Sequence, residues 1–580
     1  MPVPAAARGR TADPSLPTVQ RPILYATLVA AGAAFYRFFS FSGFSNDHFM
    51  HLAWAHQMLH GDLPGRDFIE PGMPLTIALS AAAQRLLGVG IFAELILCIV
   101  FLSAAAAITY WLGARFTGSR ALGMTAAALQ VAVFPRLYNY PKIFVPVVGL
   151  ALMWRYLDRP GTVRAMLIGL WIAIAFLFRH DYIMYLGLAT AVLFACAFLS
   201  GVARVAVRHV AACAAAGLAV LLPYLLMLYL LGGIAVHIND SLEFARGERV
   251  EGINHPAFTL GPAPPKESEN RQTLRADIVH DLMSVQRIVN GENAEVLMYH
   301  GAWLLPIAVL MGLARVALKR QPRALHSYEI QIVVLAVLSL ALGFSFLFIR
   351  SQIGARLADL GATMPLIVVI VAAGLPSAAR FQRIVGYAVF GIAFVAVFIQ
   401  GRVWNELDDA GFLNRPEAVV LQGEEIWNES RTWPWARFWP EGELPEVIRY
   451  LNACTSRDDR ILVTWWAPET FMFSDRRFAA GHAYFIRRSF LTPKHQQVAI
   501  ARMKQQHVPV VLINLTERDW FHERLSMLDA YIRDQYTIVG TYRNYDSADV
   551  AVAVRKDLHK SGIFNATGWP CFTESGSGRL

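Results

Sequence analysis

The chain of 580 residues is poor in charge. Asp, Glu, Lys and Arg make up 16% of it and hydrophobic residues 55%. A water-soluble domain carries about a quarter charged residues, so a wholly soluble globular protein is excluded. Cysteine is scarce too. Cys98, Cys196, Cys213, Cys454 and Cys571 show no metal-ligand spacing, and the first three sit in apolar runs as small packing residues. Cys454 and Cys571 can pair if their region faces an oxidising compartment; the sequence leaves that open. Internal repeats and DxD-like metal motifs are absent. The formal net charge of +9 comes from Arg-rich loops between apolar runs. That pattern orients a membrane protein and does not call for nucleic acid as a partner.

What the chain does have is a series of near-continuous apolar runs of about 20 residues, the pattern of a polytopic α-helical membrane protein. Residues 1–22 read as a disordered, basic, cytoplasmic tail. Ile23 to Gly43 is too long for a signal-peptide core and has no clear cleavage site, so it reads as a retained first span. Keeping the basic loops at Arg115–Arg120, Arg155–Arg164, Arg204–Arg208, Arg315–Arg323 and Arg380–Arg383 inside gives about eleven spans. This count needs the apolar helix beginning at Pro74 to lie on the membrane; a crossing there would put two of those basic loops outside. The expected division is a membrane domain at 23–403, with external loops at 44–90 (two interfacial helices) and 232–298. An extracytoplasmic α/β domain follows at 404–580 and ends in a loose tail. Its predicted helices are Leu444–Ala453, Pro493–Gln506 and Ser526–Gln535. Its predicted strands are Arg460–Trp466, Val508–Ile513, Tyr536–Tyr542 and Ala548–Val554.

The densest polar stretch runs from Ser45 to Leu75, SNDHFMHLAWAHQMLHGDLPGRDFIEPGMPL. Ser45 or Asn46 can cap a helix with Asp47 in its first turn, where the helix dipole favours a carboxylate. The helix should reach His60 and stop at Gly61. A turn-rich link then presents Arg66, Asp67 and Glu70. Under the topology above, these residues share one membrane face with Arg136, Tyr138, Tyr140, Lys142, Arg179, His180, Asp181, Arg350, Arg356 and Asp359. Acids and guanidinium groups gathered there suit chemistry on a lipid-linked anion. A carboxylate takes a hydroxyl proton, and cations hold a phosphate.

The run HLAWAHQMLHGDLPGRDFIEPGMPL, the Asp just after the first span, the apolar helix ending LLG and the distal soluble region resemble the GT-C superfamily. The nearest branch is that of protein O-mannosyltransferases, aminoarabinose transferases and bacterial family 39-type glycosyltransferases. The likeness covers about residues 20–200 and is only architectural beyond 404. It implies inverting transfer of a sugar from a polyprenyl-phosphate donor to a hydroxyl of an extracytoplasmic lipid, glycan or protein. It also implies a bacterial inner-membrane location among membrane lipids, no nucleotide, and Asp47 as general base. Two positions depart from the family. Its Lys-Pro-Pro is replaced by Gly72-Met73-Pro74, and the second external acid is missing from RLYNYPK. Lys142, Arg66, Arg356 and Arg350 are therefore the candidate phosphate cations, and Asp181 the candidate second acid. His48, His51, Asp67, Glu70, Tyr138, Tyr140, Arg179 and His180 are the candidate pocket. No metal or other cofactor is assigned, and His48 and His51 read first as packing residues. Arg37 and Glu94, in spans near their outer ends, are expected to pair beneath the site. Plainer readings stay open: Asp47 as a helix-start charge, Arg350 and Arg356 as snorkelling span ends, and the whole chain as a transporter or lipid flippase.

Overall fold

The computed structural model describes residues 22–70, 72–199, 203–231, 233–247, 291–319, 327–349, 354–373, 380–401, 403, 405, 407, 416–439, 443–486, 492–544 and 548–572. The expected basic tail up to residue 21, Arg350 and residues 248–290 of the long external loop lie outside them.

Apolar composition and a lack of helix breakers give a succession of helices: α1 (Pro22–Phe39), α2 (Asn46–Leu59), α3 (Pro74–Leu87), α4 (Ile91–Thr117), α5 (Arg120–Ala132), α6 (Tyr140–Asp158), α7 (Thr162–Phe178), α8 (Tyr182–Leu199), α9 (Ala203–Leu231), α10 (Ile234–Gly247), α11 (Gly291–Lys319), α12 (Ser327–Ile349), a short α13 (Gly354–Leu357), α14 (Met364–Ala372) and α15 (Arg380–Gln400). Among the described residues, Ile91–Thr117, Val207–Leu231 and Gly291–Ala314 are long and apolar enough to cross a bilayer. A helix rises 1.5 Å per residue, so a crossing takes about 20 residues. With 14 residues, α3 falls short of that length. A helix stands at each of the eleven expected span positions. However, α5 has 13 residues and α14 has 9, so these eleven are not all full-length crossings. The membrane-side core joins α4, α6, α7, α8, α12 and α14 through Leu112, Trp154, Ile168, Leu186, Leu335 and Leu366.

The C-terminal region adds α16 (Pro416–Glu429), α17 (Glu446–Cys454), β1 (Arg460–Val463), α18 (Glu469–Ser474), β2 (Arg477–Phe478), α19 (Pro493–Gln505), β3 (Val510–Asn514), α20 (Arg518–Arg524), α21 (Ser526–Gln535), β4 (Tyr536–Arg543), β5 (Asp549–Arg555), β6 (Gly562–Phe564) and β7 (Trp569–Cys571). β1–β5 form one sheet in the order β2-β1-β3-β5-β4. β1 lies parallel to β2 and β3, and β5 runs antiparallel between β3 and β4. Val510–Val511–Leu512 is buried on both faces, as a strand between two others must be. Of the final stretch expected to be loose from its Gly-rich sequence, residues 562–572 are ordered and the rest lie outside the described residues. β6 and β7 pair as a hairpin, and Cys571 is disulfide-bonded to Cys454 at the end of α17.

One core crosses between the two parts of the chain. Phe49, Trp54 and Phe68 pack in the same cluster as Trp465, Phe473 and Phe478. Every residue of α2 from His48 to Gln57 is buried, so α2 rests on protein and not on lipid. Its polar residues need partners on all sides. Gln57 donates to the Phe478 carbonyl at 3.0 Å and accepts from Arg460 at 3.0 Å. His56 meets Asp475 at 3.1 Å.

Candidate active site at the membrane face

Ser45 occupies the N-cap position of α2, though its side chain makes no capping bond. Asp47 follows in the first turn, facing the loop between α5 and α6. The Tyr138 hydroxyl donates to Asp47 Oδ2 at 2.6 Å, and Arg136 Nη1 reaches the same oxygen at 3.3 Å. The Asp47 side chain stays 40% exposed, so a ligand can approach it. Burial, followed by the Asp47 charge and hydrogen bond, pushes the Tyr138 hydroxyl well above the usual tyrosine range. Tyr138 therefore stays a donor.

In the first turn of α6, Lys142 Nζ donates to Asp359 Oδ2 at 2.6 Å. Both side chains are largely buried, 15% and 17% exposed. Asp359 stands on the 3-10 turn Ala358–Ala362, and its Oδ1 is buried without a hydrogen-bond partner. Arg136 lies within Coulomb range of both Asp47 and Asp359. Two acids and two cations thus alternate across three loops. His51, one turn beyond Asp47, faces the Tyr138 ring with centroids 5.5 Å apart. Burial, then neighbouring His48, lowers its pKa to about 4, so the imidazole is neutral at pH 7. An apolar cavity of about 620 Å³, lined by Leu129, Val133, Leu297, Leu360, Gly361 and Val397 among others, opens two residues from Asp359.

Not every expected site residue joins this array. Arg66 forks onto its neighbour Asp67 at 2.5–3.0 Å, and its carbonyl accepts from Arg502 of α19 at 2.6 Å. That turn faces the C-terminal unit. Arg356, on α13, is half-buried three residues before Asp359. Asp181 is closed off by a two-pronged bond from Arg179 at 2.8 and 2.5 Å. Tyr140 is fully buried in the membrane-side core. Arg37 and Glu94 do not pair as expected. Arg37 lies over the Phe134 ring at 4.1 Å. Glu94 accepts from His48 Nε2 at 3.0 Å and from the Ser80 hydroxyl at 2.5 Å.

Glu70 and His180 belong to a second cluster. Glu70 is buried and accepts the backbone N–H of Met73. Burial pushes its carboxyl up to about 7, against the pull of backbone N–H groups from Met73 and Gly72. His180 and His237 flank the Tyr224 hydroxyl, each at 3.2 Å. Burial, then the neighbouring His237, lowers His180 to about 4. Ligating atoms of Glu70, His180 and His237 lie within 4.8 Å of one another, a set that could hold a cation; His48, Glu94 and Cys98 form another such set. The cluster around His180 also limits what can stand at position 72. Gly72 has φ +98°, and a Cβ there would stand 2.8 Å from His180 Nδ1. A left-handed backbone and a filled space both exclude a long side chain at that position.

His237 and Tyr224 carry much of this geometry yet have no place in the sequence-based expectations, and Arg136 and Asp359 enter them only as members of the polar face, without an individual role. His237 lies on α10, in a stretch expected to be a loop. Asp359 is 217 residues from its partner Lys142, a separation no local pattern bridges.

No protein-family model matches the chain, and no curated protein matches it. Among solved structures it is similar to ArnT from Cupriavidus metallidurans bound to undecaprenyl phosphate. That alignment has 12% identity, covers 92% of this chain and 98% of that one, and has a TM-score of 0.48. The same protein in the apo state gives 12% identity, 92% and 97% coverage and a TM-score of 0.47. Likeness at this level assigns no role to any residue here.

Proposed function

We propose that the chain is an inverting glycosyltransferase that moves a sugar from a polyprenyl-phosphate donor to a hydroxyl of an extracytoplasmic acceptor. The observation that carries this reading is the half-exposed Asp47 carboxylate, held by Tyr138 and Arg136 beside the Lys142–Asp359 pair. The sequence resemblance supplies the donor class. Asp47 takes the acceptor hydroxyl's proton, and the freed oxygen attacks the anomeric carbon on the face opposite the phosphate. The bond from that carbon to the phosphate oxygen breaks, and the lipid phosphate leaves with the electron pair. Arg136 and Lys142 balance its growing negative charge. The apolar cavity beside Asp359 supports a donor with a long hydrocarbon chain. Asp67, Asp181, Arg66 and Arg179 are engaged with one another in neighbouring pairs and are assigned to the surroundings of the site.

The test is incubation of the purified full-length protein with a panel of labelled polyprenyl-phosphate sugars. Release of lipid phosphate with one donor, lost in Asp47→Asn, supports the reading. If no donor is turned over and none is retained, the reading fails.

A further inference from the structure

We propose that His48, Glu94 and Cys98 form a binding site for a divalent, thiolate-accepting cation of the zinc type, where α2 meets the start of α4. The site follows from how the two helices are laid together. His48 stands in the first turn of α2 and Glu94 in the first turn of α4. Cys98 lies four residues on, on the same helix face as Glu94. All three are buried, at 1%, 1% and 0% exposed.

Their ligating atoms are spaced as one face of a tetrahedral zinc centre requires. His48 Nε2 lies 3.0 Å from Glu94 Oε1, Cys98 Sγ lies 3.9 Å from His48 Nε2, and Cys98 Sγ lies 4.0 Å from Glu94 Oε1. Zinc bonds nitrogen and oxygen at about 2.0–2.1 Å and sulfur at about 2.3 Å, which sets N···O at about 3.4 Å and S···N or S···O at about 3.6 Å. Each observed edge lies within about 0.4 Å of that face. An imidazole, a carboxylate and a thiol suit zinc and not magnesium or calcium, which prefer oxygen. On loading, the thiol proton leaves to solvent, His48 binds through Nε2 as the neutral tautomer with its proton on Nδ1, and the ion takes the place of the proton shared with Glu94. A dication with one thiolate, one carboxylate and a neutral imidazole is electrically balanced, as a buried centre must be.

Two features around the triad point the same way. Ser80 donates to Glu94 Oε2 at 2.5 Å, and Gln84 Nε2 donates to Ser80 at 3.3 Å, so the carboxylate is oriented from behind. The Tyr140 hydroxyl is buried without a hydrogen-bond partner among the described residues, and it is within Coulomb range of both Glu94 and Cys98. A water in the fourth zinc position would give this orphaned hydroxyl a partner. The set shares no residue with Glu70, His180 and His237, which contain no sulfur.

The experiment uses full-length protein stripped with a chelator and reloaded with one equivalent of zinc or cobalt. X-ray absorption at the zinc edge should show one sulfur at about 2.3 Å with nitrogen or oxygen at about 2.0–2.1 Å. Cobalt should give a near-ultraviolet thiolate charge-transfer band that Cys98→Ser abolishes. Zinc coordinated by nitrogen and oxygen only, a band that survives Cys98→Ser, or no retained metal would each overturn the proposal. Should Cys98→Ser not fold, the absorption spectrum of the unaltered chain decides alone.

Discussion

Asp47 and Glu70 belong to one polar stretch of the chain, 23 residues apart in sequence, and meet opposite surroundings. Asp47 is 40% exposed, takes a phenol hydroxyl and has a guanidinium beside it. Glu70 is 3% exposed, accepts only backbone N–H groups, and has two neutral histidines for neighbours. The same carboxyl chemistry is thus reachable and flanked by a cation at one end and enclosed and held near-neutral at the other. A carboxylate's role follows from which charges its fold brings near it.

The sharpest way to break this comparison is to remove each charge in turn. Asp47→Asn keeps the size of the side chain and removes the base. Turnover is expected to fall by about 100-fold or more with donor binding retained; near-normal turnover in a labelled-donor assay would refute the assignment. Lys142→Gln comes next, because it leaves Asp359 buried without its cation. Such a break typically costs about 3–5 kcal/mol, so the thermal midpoint should drop, and donor affinity should fall about tenfold. The double variant Lys142→Gln/Asp359→Asn should recover most of the midpoint but not the affinity. Equal recovery of both would reduce the pair to a structural role.

Glu70 gives a smaller, pH-dependent effect. Its carboxyl holds a proton up to about pH 7 in the folded protein, against an ordinary value of 4.5. The folded state therefore binds more protons than the unfolded chain between those values. Stability should fall as pH rises through that window, by about 3 kcal/mol at most, and level off above it. Glu70→Gln should remove the slope, so with chelator present its melting point exceeds that of the parent at pH 8 and approaches it at pH 5. Parallel curves would contradict the buried, uncharged Glu70. Smallest of all should be Arg66→Gln. Arg66 is exposed and already committed to Asp67, so donor affinity should change by less than about twofold in a binding assay.

Much of the helical layout was legible because apolar runs and basic loops act locally. The boundaries of α2 followed from Asp47 at one end and Gly61 at the other, and the pattern of β1, β3, β4 and β5 from alternating or continuous apolar runs. The hairpin β6–β7 was not legible, because Gly562 and Gly568 read as loop, and the Cys571 disulfide that ties it down reaches Cys454, 117 residues away. Nor was α10, which lies in a polar stretch. The site was legible as a membrane face but not as a set of contacts. Lys142 finds Asp359 and Glu94 finds His48 only once helices far apart in sequence are packed. The expected Arg37–Glu94 pair failed for the same reason: depth in the membrane was readable, azimuth around the helix was not.

The shared core of α2 and the C-terminal sheet also has a consequence in time. The helix that carries Asp47 is made within the first 60 residues, but Phe473, Phe478 and Arg460, which enclose and hold it, are made some four hundred residues later. Until then the side of α2 that carries Phe49 and Gln57 lacks Phe473 and Phe478, and burying a large apolar side chain contributes about 1.5–3 kcal/mol each. A nascent chain therefore holds its proposed base on a helix packed on one side only throughout synthesis of the membrane part. Only the last fifth of the protein to emerge fixes it in place. Chains released early, for instance after Gln400, should be inactive and open to protease at Asn46–Leu59, so that incomplete molecules in the membrane neither act on the donor nor persist.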